Sequence, residues 1–542
     1  MACNFADLYE HCADTVPDRT AVIEGGRRLT FAELDARANR LAHHLAAAGA
    51  GPGTHIGFHM HNSIESLETL LGCYKIRAVP VNINYRYRAE ELRYVYDNAD
   101  LEMTVHHRCY APLVEEIRPQ LPKLRHALVV EDDRSASPRL GGDGLASGSV
   151  PYEQVLESGS PERDFGPRSA DDHFIMYTGG TTGLPKGVIW RQEDMWRVLG
   201  GGIDFYTGEP VADEYQQSRT AAENAWPMTW FVLPPLIHAA AMMPTFTALW
   251  SGNAVLFQPR FDPDEVWRVV ARERPQVLVV TGDAIARPLV DSYRAHPVDA
   301  SSLVSIGSGA AQLTQPVKNA LLELFPSTLV TESIGSSETG FGGIGFAQKD
   351  DDPARAPRVT TGRGALVVDD AGHPVAPGGE GWVAKTGNIP LGYYKDPVKT
   401  DKLFRTVDGV RMVITDDRAR VESDGSVTLI GRGNMVINTG GEKVFPEEVD
   451  AVLKAHPEVY DAVVIGVPHE RWGQQVAAVV SAAGNAIDFD ALTEHVRTHL
   501  AGYKLPRRIW VAAAVSRTPS GKPDYRWAKS YAASREPDHE TR

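Results

Sequence analysis

A chain of 542 residues, 43% hydrophobic and 23% charged, has the composition of a soluble globular protein and the length for more than one domain. Its formal net charge of −15 opposes general binding to nucleic acid or to anionic membranes, while leaving room for a local nucleotide site built from a few cations and backbone N–H groups. It has no run of about 18 apolar residues, so no membrane span is expected.

The first ten residues carry Asp7 and Glu10 and lack the basic, apolar and cleavable regions of a signal peptide. Cys3, Cys12, Cys73 and Cys109 show no metal spacing, which predicts reduced thiols and a cytoplasmic address. Thr30-Phe31-Ala32-Glu33 has the form of a capping box. Phe31, Leu34, Ala38, Leu41 and Leu45 then recur at helical spacing, up to Gly49, where a helix should stop. Short β-rich runs at 127–130, 174–177, 255–257, 277–280 and 329–331 alternate with helix-like stretches such as 264–274 and 316–324. That alternation predicts an α/β fold with mainly parallel, layered sheets. The Ser-, Gly-, Asp- and Arg-rich stretch 132–150 is expected to be a surface loop.

Further on, 380–385, 410–414 and 427–430 predict short strands of a small β-rich module. After Gly431-Arg432-Gly433-Asn434, strands at 459–467, 476–481 and 509–512 and a helix at 489–500 predict a compact α+β unit. The expected division is therefore a large domain over 1–430, a hinge at 431–434 and a small domain over 435–542. No internal repeat is visible.

The most informative segment is Tyr177-Thr178-Gly179-Gly180-Thr181-Thr182-Gly183-Leu184-Pro185-Lys186-Gly187. It follows an apolar strand. Its glycines allow close approach of backbone to a ligand, its threonines add hydroxyl donors, and Lys186 adds positive charge, which together suit a polyphosphate. It is not a Walker A loop, because Pro185 precedes the lysine and no Gly-Lys-Ser/Thr closes it. The alternative is a flexible Gly/Thr linker.

This loop is similar to the signature loop of the adenylate-forming (ANL) superfamily of acyl-CoA synthetases, peptide-synthetase adenylation domains and firefly-type luciferases. The likeness runs from about Thr30 to about Lys529. Within the superfamily the chain most resembles the actinobacterial fatty-acid and steroid side-chain acyl-CoA synthetases, through the runs 177–188, 333–343, 387–395 and 521–529. The resemblance implies a large, multi-sheet N-terminal adenylation domain, a small mobile α+β C-terminal domain, and the site residues that follow.

Ser333-Ile334-Gly335-Ser336-Ser337-Glu338-Thr339 matches the segment that holds adenine and magnesium, with Ser337 and Thr339 offering hydroxyls and Glu338 a hard oxygen ligand for Mg²⁺. Ile334 departs from the aromatic residue common there. Gly307-Ser308-Gly309-Ala310-Ala311 matches the turn beside adenine and the acyl group, with Gly309, Ala310 and Ala311 on the nucleotide and Ser308 on the substrate; a tight strand-to-helix turn is the plain alternative. In Thr415-Asp416-Asp417 the last aspartate matches the group that takes the ribose hydroxyls, and Arg432 matches an arginine that reaches the same sugar. Asp416 stands where relatives usually have glycine.

His238 ends the apolar run Leu233-Pro234-Pro235-Leu236-Ile237. A lone histidine is commonly structural, but the resemblance places it between acyl pocket and CoA tunnel, as a binding residue and not a base. Lys522, in Thr518-Pro519-Ser520-Gly521-Lys522, matches the lysine that bridges the substrate carboxylate and the α-phosphate. Gly440 and Gly441 match the segment that lines the pantetheine tunnel, and Asn434 stands at the hinge. Catalysis is thus assigned to Lys522, Glu338 and Lys186. The acyl pocket is expected from 226–243 with 307–311, using Trp226, Trp230, Met242 and Met243 as walls and Ala239, Ala240 and Ala241 as space.

The implied reaction forms an acyl-adenylate from a carboxylic acid and ATP with Mg²⁺, then an acyl-CoA thioester, AMP and pyrophosphate. The expected partners are a small-molecule acid, ATP and CoA, with room for a homodimer. Two rivals stand beside this reading. One is an adenylating enzyme with another acid or acceptor: an aryl-acid ligase, an amide-forming ligase or a nitrite-activating diazotase. The other is a nucleotide-binding protein without turnover, which the joint presence of Lys186, Lys522, Glu338 and Asp417 opposes.

Overall fold

The computed structural model describes residues 4–132, 148–178, 185–198, 211–311, 313–349, 358–362, 364–432, 435–439, 442–469, 473–500, 502–519 and 521–541. The predicted capping box is formed. Thr30 Oγ1 accepts from the Glu33 N–H at 3.1 Å, the Glu33 side chain accepts from the Thr30 N–H at 2.8 Å, and helix α1 (Phe31–Ala47) follows. Gly49, with φ +89°, takes the left-handed turn beyond its end. The buried side chains of α1 include Phe31, Leu34, Ala38, Leu41 and Leu45, the stripe that the periodicity predicts.

Three sheets form among the described residues, of eight, fourteen and six strands. The eight-stranded sheet contains β1 (Val79–Asn82), β2 (His173–Thr178) and β3 (Lys186–Arg191). The fourteen-stranded sheet has a parallel centre in which β4 (Thr229–Val232), β5 (Val277–Val280), β6 (Ser305–Ser308) and β7 (Leu329–Ser336) are neighbours in that order. Strand β5 reads Val-Leu-Val-Val and is buried throughout, as a strand covered on both faces should be. Strand β8 (Gly340–Phe346) turns back antiparallel to β7.

The short strands of the small β-rich module that the sequence predicts beyond this point are formed, and the structure adds that they continue the large sheet. Strands β9 (Val410–Val421) and β10 (Val427–Arg432) belong to the large sheet, joined to β8 through Arg358–Thr361. Pairing partners far along the chain decide sheet membership, and local composition carries no record of them. The large sheet ends at Arg432, and the six-stranded sheet begins at Ile437. Helix α2 (Ala239–Trp250) follows β4, and helix α3 (Gly282–Ala295) follows β5. A continuous core joins the two large sheets, running through Phe5, Phe31, Phe58, Phe174, Trp190 and Trp250. The six-stranded unit has its own core, including Val449, Val464, Val480 and Ile509. Among the described residues, no helix is long and apolar enough to cross a membrane.

Candidate active site

The glycine-rich segment connects an antiparallel hairpin. Thr178 at the end of β2 lies opposite Lys186 at the start of β3. Gly179, Gly180, Thr181, Thr182 and Gly183 lie outside the described residues. Lys186 Nζ stands 5.0 Å from the centroid of the Tyr393 ring, and the Tyr393 hydroxyl donates to Glu338 Oε1 at 2.8 Å. One tyrosine therefore separates the cation from the carboxylate, and no direct ion pair joins the two among the described residues. Burial, helped by the nearby Lys399 ammonium, holds the Lys186 pKa below the ordinary lysine value, and Glu338 pulls in the other direction. A partly desolvated cation that makes no direct ion pair among the described residues favours an arriving anion.

Glu338 is presented by the β7–β8 hairpin, whose turn its own hydroxyls tie. The Ser336 N–H donates to Thr339 Oγ1 at 3.0 Å, and the N–H groups of Glu338 and Thr339 donate to Ser336 Oγ at 3.2 Å each. Trp190 Nε1 on β3 donates to the Ser337 carbonyl at 2.8 Å, which fixes this turn against the strand that carries Lys186. Gly340 takes φ +63°, and a Cβ there would lie 2.7 Å from Val198 Cγ2. Trp190 and Tyr393 escaped the sequence reading. Tyr393 stands within the run 387–395 that carried the family likeness; Trp190 had no local mark.

At the end of β6, the Gly282 N–H donates to Ser308 Oγ at 2.9 Å, and Ser333 Oγ donates to the Ser308 carbonyl at 3.2 Å. A Cβ on Gly309 would stand 2.8 Å from Ser333 Oγ, and Ala310 is held at φ +63°. Left-handed backbone on a residue other than glycine marks a turn fixed by its surroundings. On the far side, Asp417 and Arg432 are register partners between β9 and β10. Gly440, Gly441 and Asn434 lie outside the described residues.

The C-terminal turn reaches this cleft. The Thr518 N–H donates to the Lys522 carbonyl at 2.8 Å, the Gly521 N–H donates to the Thr518 carbonyl at 2.9 Å, and Gly521 takes φ +76°. A Cβ on Gly521 would stand 3.2 Å from the Thr281 carbonyl oxygen, so the turn lies flat on the start of α3. Lys522 lines two cavities here. The smaller, about 240 Å³, is also lined by Ala311, Ile334, Thr339 and Asp417. The larger, about 1400 Å³, is reached from Thr178, Ser337 and Lys522.

The floor of the larger cavity is the parallel sheet. Trp230 on β4, Val277 and Val279 on β5, Ser305 and Gly307 on β6, and Thr331 and Ser333 on β7 line it, alternate residues sharing one face. Its lid is one face of α2: Ala239, Ala240, Met243, Pro244 and Thr247. Here the structure corrects the sequence reading. Met242 and Ala241 turn away into the core, at 2% and 0% exposure, and Trp226 is 85% exposed at the surface. A stretch taken as a whole in sequence is divided by the 3.6-residue period into a cavity face and a core face. His238 caps α2 at the cavity's inner end, and its Nε2 is buried with no hydrogen-bond partner among the described residues. Burial, then the Lys522 and Arg86 cations, lowers its pKa to about 3, so the ring is neutral at pH 7.

The family model for AMP-binding enzyme matches residues 9–394, and that for AMP-binding enzyme C-terminal domain matches 448–522. The chain is 47% identical over 547 residues to the 3-oxocholest-4-en-26-oate–CoA ligase of Rhodococcus rhodochrous, covering 99% of this chain and 97% of that one. It is 49% identical over 542 residues to a medium/long-chain-fatty-acid–CoA/3-oxocholest-4-en-26-oate–CoA ligase of Mycobacterium tuberculosis (strain ATCC 25618 / H37Rv), covering 99% and 98%. In fold it matches the anthranilate CoA ligase AuaEII, crystallised with anthranoyl-AMP, at a TM-score of 0.83 and 22% identity over 98% of each chain.

Proposed function

This chain belongs to the AMP-binding enzyme family and is an ATP-dependent, AMP-forming acyl-CoA ligase; from that premise we propose that its acid is a large apolar one, a medium- or long-chain fatty acid or a steroid side-chain acid. The observation that carries the proposal is the cavity of about 1400 Å³. It runs along the parallel sheet under an alanine-rich helix face and ends at His238 and Lys522. The acids named for the two relatives support the same choice.

The reaction assigned to the site has two halves. A carboxylate oxygen attacks the α-phosphorus of ATP, and pyrophosphate leaves. The CoA thiolate then attacks the acyl carbonyl, and AMP leaves. Lys522 bridges the two anions in the first half, where a preorganised charge stabilises the transition state. Lys186 and the loop after Thr178 hold the departing phosphates. Asp417 and Arg432 hold the ribose, and Ala310, Ala311, Ile334 and Gly335 flank the base. His238, neutral, lines the path between acyl group and thiol.

Magnesium fits as an ion that arrives with ATP. No group of three or more acidic, His or Cys side chains among the described residues could cage a metal, while Glu338 offers one hard oxygen ligand beside the phosphate lysine. Bound there, the ion would neutralise phosphate charge. Residues 1–430 form the adenylation domain, 431–434 the hinge and 435–542 the mobile domain. A cytoplasmic address suits a user of ATP and CoA.

The test is kcat/KM with ATP and CoA for acetate, octanoate, palmitate, a cinnamate and a C27 steroid acid. Selectivity should rise with buried apolar size, by up to about 0.8 kcal/mol per buried methylene. A preference for the cinnamate would replace the large-acid reading with an aryl-acid ligase.

A further inference from the structure

Strand β2, which leads into the phosphate loop, and strand β4, which leads to the His238 turn, belong to different sheets, yet a single side chain joins the two segments. Asn82, at the end of β1, is 2% exposed. Its Oδ1 accepts from the Tyr177 N–H at 2.6 Å, and its Nδ2 donates to the Tyr177 carbonyl at 2.9 Å and to the Ile237 carbonyl at 2.6 Å. Strands β1 and β2 share one register pair, Val81 with Ile175. Two residues later, where a parallel neighbour would supply backbone groups, the Asn82 amide takes both the N–H and the carbonyl of Tyr177. Its second donor then crosses to the residue before His238. A second buried asparagine holds only the His238 side. Asn62, 4% exposed, donates to the Pro234 carbonyl at 2.8 Å and accepts from the Leu236 N–H at 2.6 Å.

We propose that Asn82 is a positioning residue that sets the distance between Thr178, at the end of β2, and the His238 turn, so that the α-phosphate and the substrate carboxylate meet in line. The inference rests on the assignment of ATP to the loop after Thr178 and of the acid to the cavity at His238. Tyr177 is bonded directly to Thr178, and Ile237 directly to His238, so a shift at either end moves a binding group on the other. All three bonds are buried, and no other side-chain amide bridges the two segments among the described residues. A misplacement of about 1 Å between reacting groups can cost on the order of 10²-fold in rate.

The experiment compares wild type, Asn82→Ala, Asn82→Asp and Asn62→Ala with ATP and with the acid that wild type turns over fastest in the panel above. Asn82→Asp keeps size and one of the three bonds but cannot donate to either carbonyl. In both Asn82 variants pyrophosphate release at saturating substrates should fall about 10²-fold. KM for ATP and acid should each move less than about 3-fold, and thioester formation from supplied acyl-adenylate should stay within about 3-fold. Asn62→Ala should raise KM for the acid and leave the saturated rate in place. A merely structural role would lower both half-reactions together, and that result would overturn the proposal, as would full adenylation by a folded Asn82 variant. If neither Asn82 variant folds, hydrogen exchange on wild type decides. Adding α,β-methylene-ATP with Mg²⁺ and no acid should slow exchange in both 174–178 and 233–240. Protection confined to 174–178 would overturn the proposal. A wild-type enzyme that releases no pyrophosphate with any acid would instead remove the functional assignment.

Discussion

His59 and His106 face each other on neighbouring parallel strands, both with 0% exposure. Neither ring nitrogen of His59 and not the Nε2 of His106 has a hydrogen-bond partner among the described residues, while His106 Nδ1 lies 3.0 Å from the His107 carbonyl. Burial, reinforced by the neighbouring histidines, holds the His59 pKa far below its ordinary value and brings that of His106 to about 4. Both are bases whose folded pKa lies under the unfolded value near 6.5, so below about pH 6.5 the unfolded chain binds more protons and stability falls with pH. His106 alone should remove about 3 kcal/mol between pH 6.5 and pH 4. In urea unfolding from pH 8 to pH 4, His106→Asn should lose less stability than wild type on the acid side of pH 6.5; an unchanged difference between the two across that range would refute the assignment. At this scale the charged groups of the candidate site, Lys186, Glu338, Asp417 and Lys522, could be picked out because they sit in recognisable local runs. Their organisers could not. Tyr393 meets Glu338 across 55 residues of chain, and Asn82 meets Tyr177 across 95. No local pattern encodes contacts at that separation.

Elements were legible where one face meets one environment. The stripe of α1 and the all-apolar β5 follow from period and composition, and their observed limits lie close to those expected. Helix α2 was harder, because it is apolar on two faces that do different work. One lines the cavity and the other fills the core. The division predicts opposite phenotypes for adjacent positions. Ala240→Phe should place a ring in the cavity, lowering kcat/KM for palmitate at least about 10-fold while acetate changes little and thermal stability holds. Met242→Ala should open a void in the core and cost about 2–5 kcal/mol of stability, with chain-length preference unchanged. Melting curves beside acid-panel kinetics separate the two; a selectivity change in Met242→Ala would mean that the helix faces are assigned wrongly.

Across the whole molecule, the two parts meet at Gly431 and at the Lys522 turn. Gly431 takes φ +143°, and a Cβ there would lie 2.7 Å from Glu447 Oε2 and 3.2 Å from Phe445 Cβ, both in the C-terminal part. Gly431→Ala should disfavour the present arrangement by about 1–3 kcal/mol through backbone strain and this contact. Adenylation should slow about 10-fold, with thioester formation from supplied adenylate altered less than about 3-fold. Lys522→Ala should show the same split more strongly, about 10²–10³-fold on adenylation. Stopped-flow assays of each half-reaction measure both, and equal losses in the two halves would contradict a C-terminal part that leaves between them. The presence of a small second unit was legible in sequence from its own strand and helix pattern; the way it seats was not, since it depends on surfaces such as Thr281 against Gly521.

Because Lys522 is a wall of both cavities, a movement of its turn changes both together. On the proposed function, withdrawing the turn on which it sits would uncover the nucleotide and acyl ends of a mixed anhydride together, and water would compete for it from that moment. With thiol withheld, the enzyme should therefore idle, spending ATP slowly at a rate set by how often the turn lifts away and not by the chemistry of activation.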